Sequence, residues 1–170
     1  MKRILILLAL IPLASTAFSQ PAAQIPNEVK ALDGLLGEWD GVMKATFPGS
    51  TDPMSVPTHV SVKLFGAYQE TIYTMSMPGG PKFTGHMFLT YDTTAKSYRS
   101  WGFDDEANEP REETGTWDGK KLVMTSKSQG GMVTRTTFEP KSKNEVAFTL
   151  EVKEDDKFTK IGEVVYKRKG

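Results

Sequence analysis

Arg111 and Glu113 stand two residues apart in the run Arg-Glu-Glu-Thr-Gly-Thr-Trp, 111–117. In an extended chain that spacing puts both side chains on one face. A carboxylate beside a guanidinium can serve as a structural ion pair, as an anchor for a polar ligand, or as a proton-transfer group. Arg135 joins the pair if Gly130-Gly131 forms a two-residue turn. A second set is Met75-Ser76-Met77, which places two thioethers on one face of a strand. With a histidine, thioethers suit Cu(I) in an oxidising compartment; without one, they line an adaptable apolar cavity. There are two histidines. His59 shares a face with the Lys63–Glu70 pair and reads as a surface residue, while the face of His86 is open. A haem-binding barrel would want an inward histidine near the end of the chain, and none follows His86. Asp104 to Glu109 concentrates oxygen ligands but lacks the glycine and ligand spacing of a calcium loop, so it reads as a solvated acidic loop. No Gly-x-Ser-x-Gly elbow, phosphate-binding loop or zinc motif occurs. Binding is favoured over catalysis, and no cofactor or metal is expected.

The elements that must position these residues follow from period and punctuation. Val29, Leu32 and Leu36 have helical spacing, which predicts one or two turns of helix within 28–36. Everything afterwards alternates with period two and is broken by turn residues every 8–14 positions, which is the pattern of an all-β chain. Strands are expected at 37–47, 57–65, 68–77, 82–92, 97–104, 111–117, 120–129, 132–139, 145–153 and 157–168. Short connections imply an antiparallel meander of about ten strands, which stacks as two sheets or closes into a barrel; closure removes the exposed edges.

Turns then set the registers. A two-residue turn at Gly66-Ala67 places Val62 opposite Thr71, Val60 opposite Tyr73 and Leu64 opposite Gln69, so Tyr73, Met75 and Met77 face inward. A two-residue turn at Asp118-Gly119 pairs Trp117 with Lys120 and Glu113 with Met124. Its apolar face holds Trp117, Leu122 and Met124 and carries Glu113 and Arg111 with it. Val146, Phe148, Leu150 and Val152 form one apolar stripe. A five-residue loop, 153–157, sets Phe158, Val164 and Tyr166 on the same face. The first strand alternates Trp39, Gly41, Met43, Ala45 and Phe47; Gly37 and Gly41 let neighbouring groups approach the Trp39 ring, which with the preceding helix plugs one end of the barrel.

The N-terminus sets the compartment. Lys2 and Arg3, then the apolar run Ile4–Leu13, then Ala17-Phe18-Ser19 form a secretory signal peptide over 1–19, too short for a membrane span. Residues 20–27 read as a linker and 28–170 as one domain, periplasmic or secreted. With no cysteine there is neither a disulfide nor a lipid-anchor cysteine. Loss of Lys2 and Arg3 from equal counts of 21 basic and 21 acidic residues leaves a net charge of −2. That balance offers no attraction for nucleic acid or an anionic membrane. At this length, ~70% of the unfolded surface can be buried without cross-links.

The pieces Leu35-Leu-Gly-Glu-Trp-Asp-Gly41, Leu64–Tyr73, Thr84–Tyr98, Glu113–Met124 and Val164–Lys169 resemble, in order and spacing, a bacterial family known as domain of unknown function 1579. The resemblance covers nearly all of the mature chain, and the Gly-x-Trp opening also resembles that of the calycins, the lipocalin-like barrels. It implies a calycin-like barrel and brings no catalytic residues with it. Where the family pattern has a tryptophan, this chain has Gly102, with Trp101 on the other face, so the inward set of 97–104 is left open. The expected interior is mostly apolar: Tyr73, Met75, Met77, Trp117 and Met124, with Arg111, Glu113 and Arg135 as its polar groups. That set suits a small apolar or amphipathic ligand with a polar or anionic head. The alternatives are an enzyme of the same fold acting on a small apolar substrate, and a Met/His copper-binding protein.

Overall fold

The computed structural model describes residues 24–46, 50, 52–105, 109–127 and 131–170. The expected signal peptide, Phe47 and part of the 104–109 acidic loop lie outside them. The chain opens with a short helix α1 (Asn27–Lys30) and a 3₁₀ turn (Asp33–Leu35). Ten strands follow: β1 (Gly37–Ala45), β2 (Met54–Phe65), β3 (Tyr68–Ser76), β4 (Lys82–Asp92), β5 (Ser97–Asp104), β6 (Arg111–Trp117), β7 (Leu122–Lys127), β8 (Val133–Ser142), β9 (Glu145–Glu154) and β10 (Lys157–Arg168). Each pairs antiparallel with its sequence neighbours, and β1 pairs with β10 to close the barrel. Closure leaves no strand edge unpaired, which settles the choice between a barrel and stacked sheets.

The helix and 3₁₀ turn plug one end. Leu32 and Leu35 are buried there with Trp39, which is 2% exposed. The Trp39 indole N–H donates to the Leu35 carbonyl at 2.9 Å. Arg168, at the end of β10, stacks its guanidinium 4.0 Å from the Trp39 ring centroid and donates to the carbonyls of Gly34 and Leu36. A side chain at Gly37 would collide with that guanidinium, and one at Gly41 with Val164 and Tyr166. Gly37 therefore does what its place suggests and lets the guanidinium reach the Trp39 ring, whereas Gly41 makes room for Val164 and Tyr166 instead. Tyr98 donates to the Glu28 carbonyl at 2.8 Å, and Gln69 donates to that of Leu32 at 3.2 Å. Each of these polar groups satisfies a backbone carbonyl of the plug.

The turns decide which residues the lumen receives. At Gly66-Ala67 the expected register is observed, with Val60 opposite Tyr73 and Lys63 opposite Glu70. Around Asp118 the loop is four residues long, because the Asp118 carboxylate caps the amides of Lys120 and Lys121. Trp117 consequently pairs with Leu122 and Glu113 with Ser126. This is a slip of two from the expected register, which preserves every face because side chains alternate with period two.

Two other turns change the faces. Between β7 and β8, Thr125 pairs with Arg135 and Ser126 with Thr134, one residue away from the register a two-residue Gly130-Gly131 turn would impose. A one-residue slip inverts a strand. Thr134, Thr136 and Phe138 therefore face the lumen, and Arg135 faces out. Between β9 and β10 the turn is Asp155-Asp156, both at positive φ, where a five-residue loop was expected; Phe158 therefore faces outward. A bulge between Lys160 and Gly162 then shifts the register and returns Val164 and Tyr166 to the interior as expected.

Candidate functional site

Beyond the plug the lumen is open. It forms a cavity of about 710 Å³, within the size range of small-molecule sites. Its wall has two sectors. On β9, β10, β1 and β2 the lining is mostly apolar, with Phe148, Leu150, Ile161, Met43, Val56 and Val60 among its members and hydroxyls from Thr58 and Tyr166 alone to interrupt it among the described residues. On β3 to β8 polar groups interrupt it: Thr71, Tyr73, Arg111, Glu113, Thr134 and Thr136.

Arg111 and Glu113 are at the centre of the polar sector. Glu113 is 5% exposed and accepts a hydrogen bond from the Ser100 hydroxyl at 3.1 Å. The Arg111 Nε lies 3.4 Å from the other Glu113 oxygen, close enough for an ion pair, yet Nε makes no hydrogen bond among the described residues. The Tyr73 hydroxyl accepts from the Arg111 guanidinium. Both long side chains lie where a neighbouring strand carries glycine. Gly85 is opposite Tyr73 and Gly102 opposite Arg111. A Cβ at Gly85 would strike the Tyr73 ring, and one at Gly102 would touch the guanidinium.

Burial and charge oppose each other in this cluster. Burial disfavours the Arg111 charge, but Glu113 foremost, with Tyr73 and Asp104, outweighs it and holds the guanidinium pKa above its ordinary value. Burial raises the Tyr73 pKa by more than the adjacent Arg111 lowers it, so the phenol stays neutral at physiological pH. Two strands from Arg111 and Glu113 the Thr136 hydroxyl is buried with no partner among the described residues, while Thr134 is satisfied by Ser126 at 2.5 Å.

Of the residues expected to form the site, Tyr73, Met75, Met77, Arg111 and Glu113 line the cavity. Trp117 and Met124 do not. Both belong to the packed core; Met124 is fully buried, and Trp117 borders a shallow recess beside Ala31 and Leu32. They point inward as expected, but at the end that the plug fills. Arg135 is a further correction. It faces outward, pairs with Glu151 through two hydrogen bonds of 2.7 and 2.8 Å, and lies 4.0 Å over the Phe158 ring. The partner of Glu113 is Arg111.

The copper alternative loses its geometry as well, because its histidines are outside the lumen that holds the thioethers. His59 contacts Glu38 and Asp40 at 2.9 and 2.6 Å on the exposed face of β1 and β2, and His86 contacts Glu70 on the outer face of β3 and β4 at 3.9 Å. No cluster of metal-ligating groups is found among the described residues. On β5 the inward set is Tyr98, Ser100 and Gly102, all buried. Sequence reasoning missed Ser100, Thr134 and Thr136. The inward parity of Phe138 was the available signal for the two threonines.

The chain matches over residues 25–168 a family described as proteins of unknown function, DUF1579. It belongs to that family. No curated protein matches it. Among solved structures, Rv2717c from M. tuberculosis is similar with a TM-score of 0.65 at 12% identity, covering 86% of this chain and 100% of its own. The S-type phycobiliprotein lyase CPES from Guillardia theta is similar with a TM-score of 0.58 at 10% identity, covering 83% of this chain and 92% of its own. At these identities the likeness is one of fold. Among the described residues no helix is long and apolar enough to cross a membrane.

Proposed function

We propose that this protein binds a small apolar or amphipathic molecule inside the barrel and acts as a carrier or binding protein outside the cytoplasm. The observation that carries this reading is the unfilled lumen, about 710 Å³ with an apolar sector facing a short polar one. A domain needing only stability would fill that space, since closed packing adds dispersion contacts along the whole lining. Five methionines (Met43, Met75, Met77, Met87 and Met132) line the cavity, and their flexible thioethers adapt to ligands of varied shape. Export rests on the charged, apolar and small-residue pattern of residues 1–19.

The test is titration with Nile red, a neutral dye that fluoresces on burial, together with native mass spectrometry of protein isolated from its own host. Saturable binding at one site per chain and a retained small-molecule mass are expected. Absence of saturable dye binding would sink the cavity reading. N-terminal sequencing of the same material should begin at Gln20; an intact Met1 would refute export.

A further inference from the structure

We propose that the ligand enters uncharged, with an apolar body against β9–β10–β1–β2 and a hydrogen-bond acceptor such as an ester, ketone or hydroxyl oxygen received by Arg111. The inference rests on the binding reading above and names the chemical class of its ligand. It follows from counting charges around Arg111, which with the exposed Lys82 supplies the cations among the described lining residues.

An arginine in an apolar lumen suggests at first a carboxylate ligand, because the guanidinium fork matches two carboxylate oxygens. Here that charge is already spent. Glu113 lies 3.4 Å from Nε, and Asp104 adds a second negative charge that acts on Arg111 and Tyr73. At the rim, Lys82 and Asp105 are both exposed, oppose each other in sign and are screened by solvent. An incoming carboxylate would be a further anion at a guanidinium that Glu113 already faces. It would shed its water on entering an apolar lumen, and the other lining cation among the described residues, Lys82, is at the exposed rim. An ammonium head fares no better: beside Arg111 it is a like charge with no lone pair to offer, and the two Glu113 oxygens that would attract it already face Ser100 and Arg111.

What the site does have unspent is hydrogen-bonding capacity. The Arg111 side chain is 38% exposed and lines the cavity; its Nε, like the Thr136 hydroxyl, is buried out of a guest's reach, so contact with a ligand falls to the terminal guanidinium N–H groups. The neutral Tyr73 hydroxyl can donate a hydrogen bond to a second acceptor while it accepts one from Arg111. A neutral oxygen takes these donors without adding charge. The Glu113–Arg111 pair thus sets specificity by spending the charge of the arginine while leaving its N–H groups available. Glu113 is held in place for this by the Ser100 hydroxyl.

The experiment is competition against bound Nile red at neutral pH by dodecanoic acid, methyl dodecanoate and dodecylamine. The ester is expected to displace the dye at a concentration at least about tenfold lower than either charged analogue. Glu113→Gln should narrow the gap between ester and acid to within about threefold, because it frees the charge of Arg111. Arg135→Ala, on the outer face, should change neither. A wild-type protein that binds the acid or the amine as tightly as the ester overturns the inference while leaving the cavity reading intact. If Nile red binds and none of the three displaces it, the inference also fails. If Nile red itself does not bind, the cavity reading fails first. Should Glu113→Gln not fold, Asp104→Asn tests the same charge count, and an unchanged ester-to-acid ratio in it would count against the proposal.

Discussion

The two ends of the barrel treat polar groups in opposite ways. At the plug, Trp39, Gln69, Tyr98 and Arg168 each donate to a specific backbone carbonyl of the segment they hold. In the wall of the lumen, the Arg111 Nε and the Thr136 hydroxyl are buried without partners among the described residues. Buried polar groups that are satisfied fix a structure; buried polar groups that are left over cost free energy. Stability is therefore concentrated at one end, and the cost of function at the other. The binding role proposed above would need that division, because the plug keeps the barrel closed while the lumen stays able to admit a guest.

The largest effect expected from testing this division is at Trp39. Trp39→Ala removes a ring that is 2% exposed together with its hydrogen bond and the Arg168 stack. It should cost about 3–5 kcal/mol of unfolding free energy, measured by denaturant titration. A cost below about 1 kcal/mol would mean that the plug is not where stability is concentrated.

Next is a pH effect at Tyr98. Burial, then Glu28 and Tyr91, push its hydroxyl from an ordinary value of 10.0 up to about 12. The folded state thus holds its proton at pH values where the unfolded chain has begun to release it. The stability contributed is fully present below pH 10 and is lost as pH rises toward 12, by roughly 2–3 kcal/mol in all. Tyr98→Phe should lose the hydrogen bond to Glu28 at neutral pH and show a flatter decline above pH 10. A decline as steep as that of wild type would assign the effect to other groups, of which Tyr73 and Tyr166 are also raised by burial.

The smallest effect has the opposite sign. Thr136→Val exchanges an unpartnered hydroxyl for a methyl of nearly the same shape, and should raise stability by about 1 kcal/mol. The same exchange at a satisfied plug group would lower it. Thermal unfolding of the variant measures this, and a lowered midpoint would show that the lumen hydroxyl is satisfied after all.

How far the sequence could be read depended on what each strand carried. Alternation placed ten strands within a few residues of their observed bounds, because one buried face and one wet face impose period two wherever a sheet covers a core. Gly66-Ala67 fixed a register that held pair by pair. The error at Asp118 was harmless, since its slip of two preserved the faces of Arg111 and Glu113. At Gly130-Gly131 a slip of one residue removed Arg135 from the lumen and brought in Thr134 and Thr136. In β8 the run Val133-Thr-Arg-Thr-Thr137 has threonines on both faces, so its apolar pattern gives little power to choose between registers.

The residue types alone determined an antiparallel all-β chain, a first strand beginning at Gly37 with Trp39 at the plug, and an arginine and a carboxylate sharing one face at 111 and 113. Those follow from local spacing, which survives whatever the rest of the chain does. Tertiary structure decided what lay across the barrel from them. It filled the end holding Trp117 and Met124, left the rest of the lumen open, and turned Phe158 outward beneath Arg135. It also gave Glu113 to Arg111. Those outcomes depend on loop lengths, a bulge and the closure of β1 on β10, and these join residues far apart in sequence through geometry that no local pattern encodes.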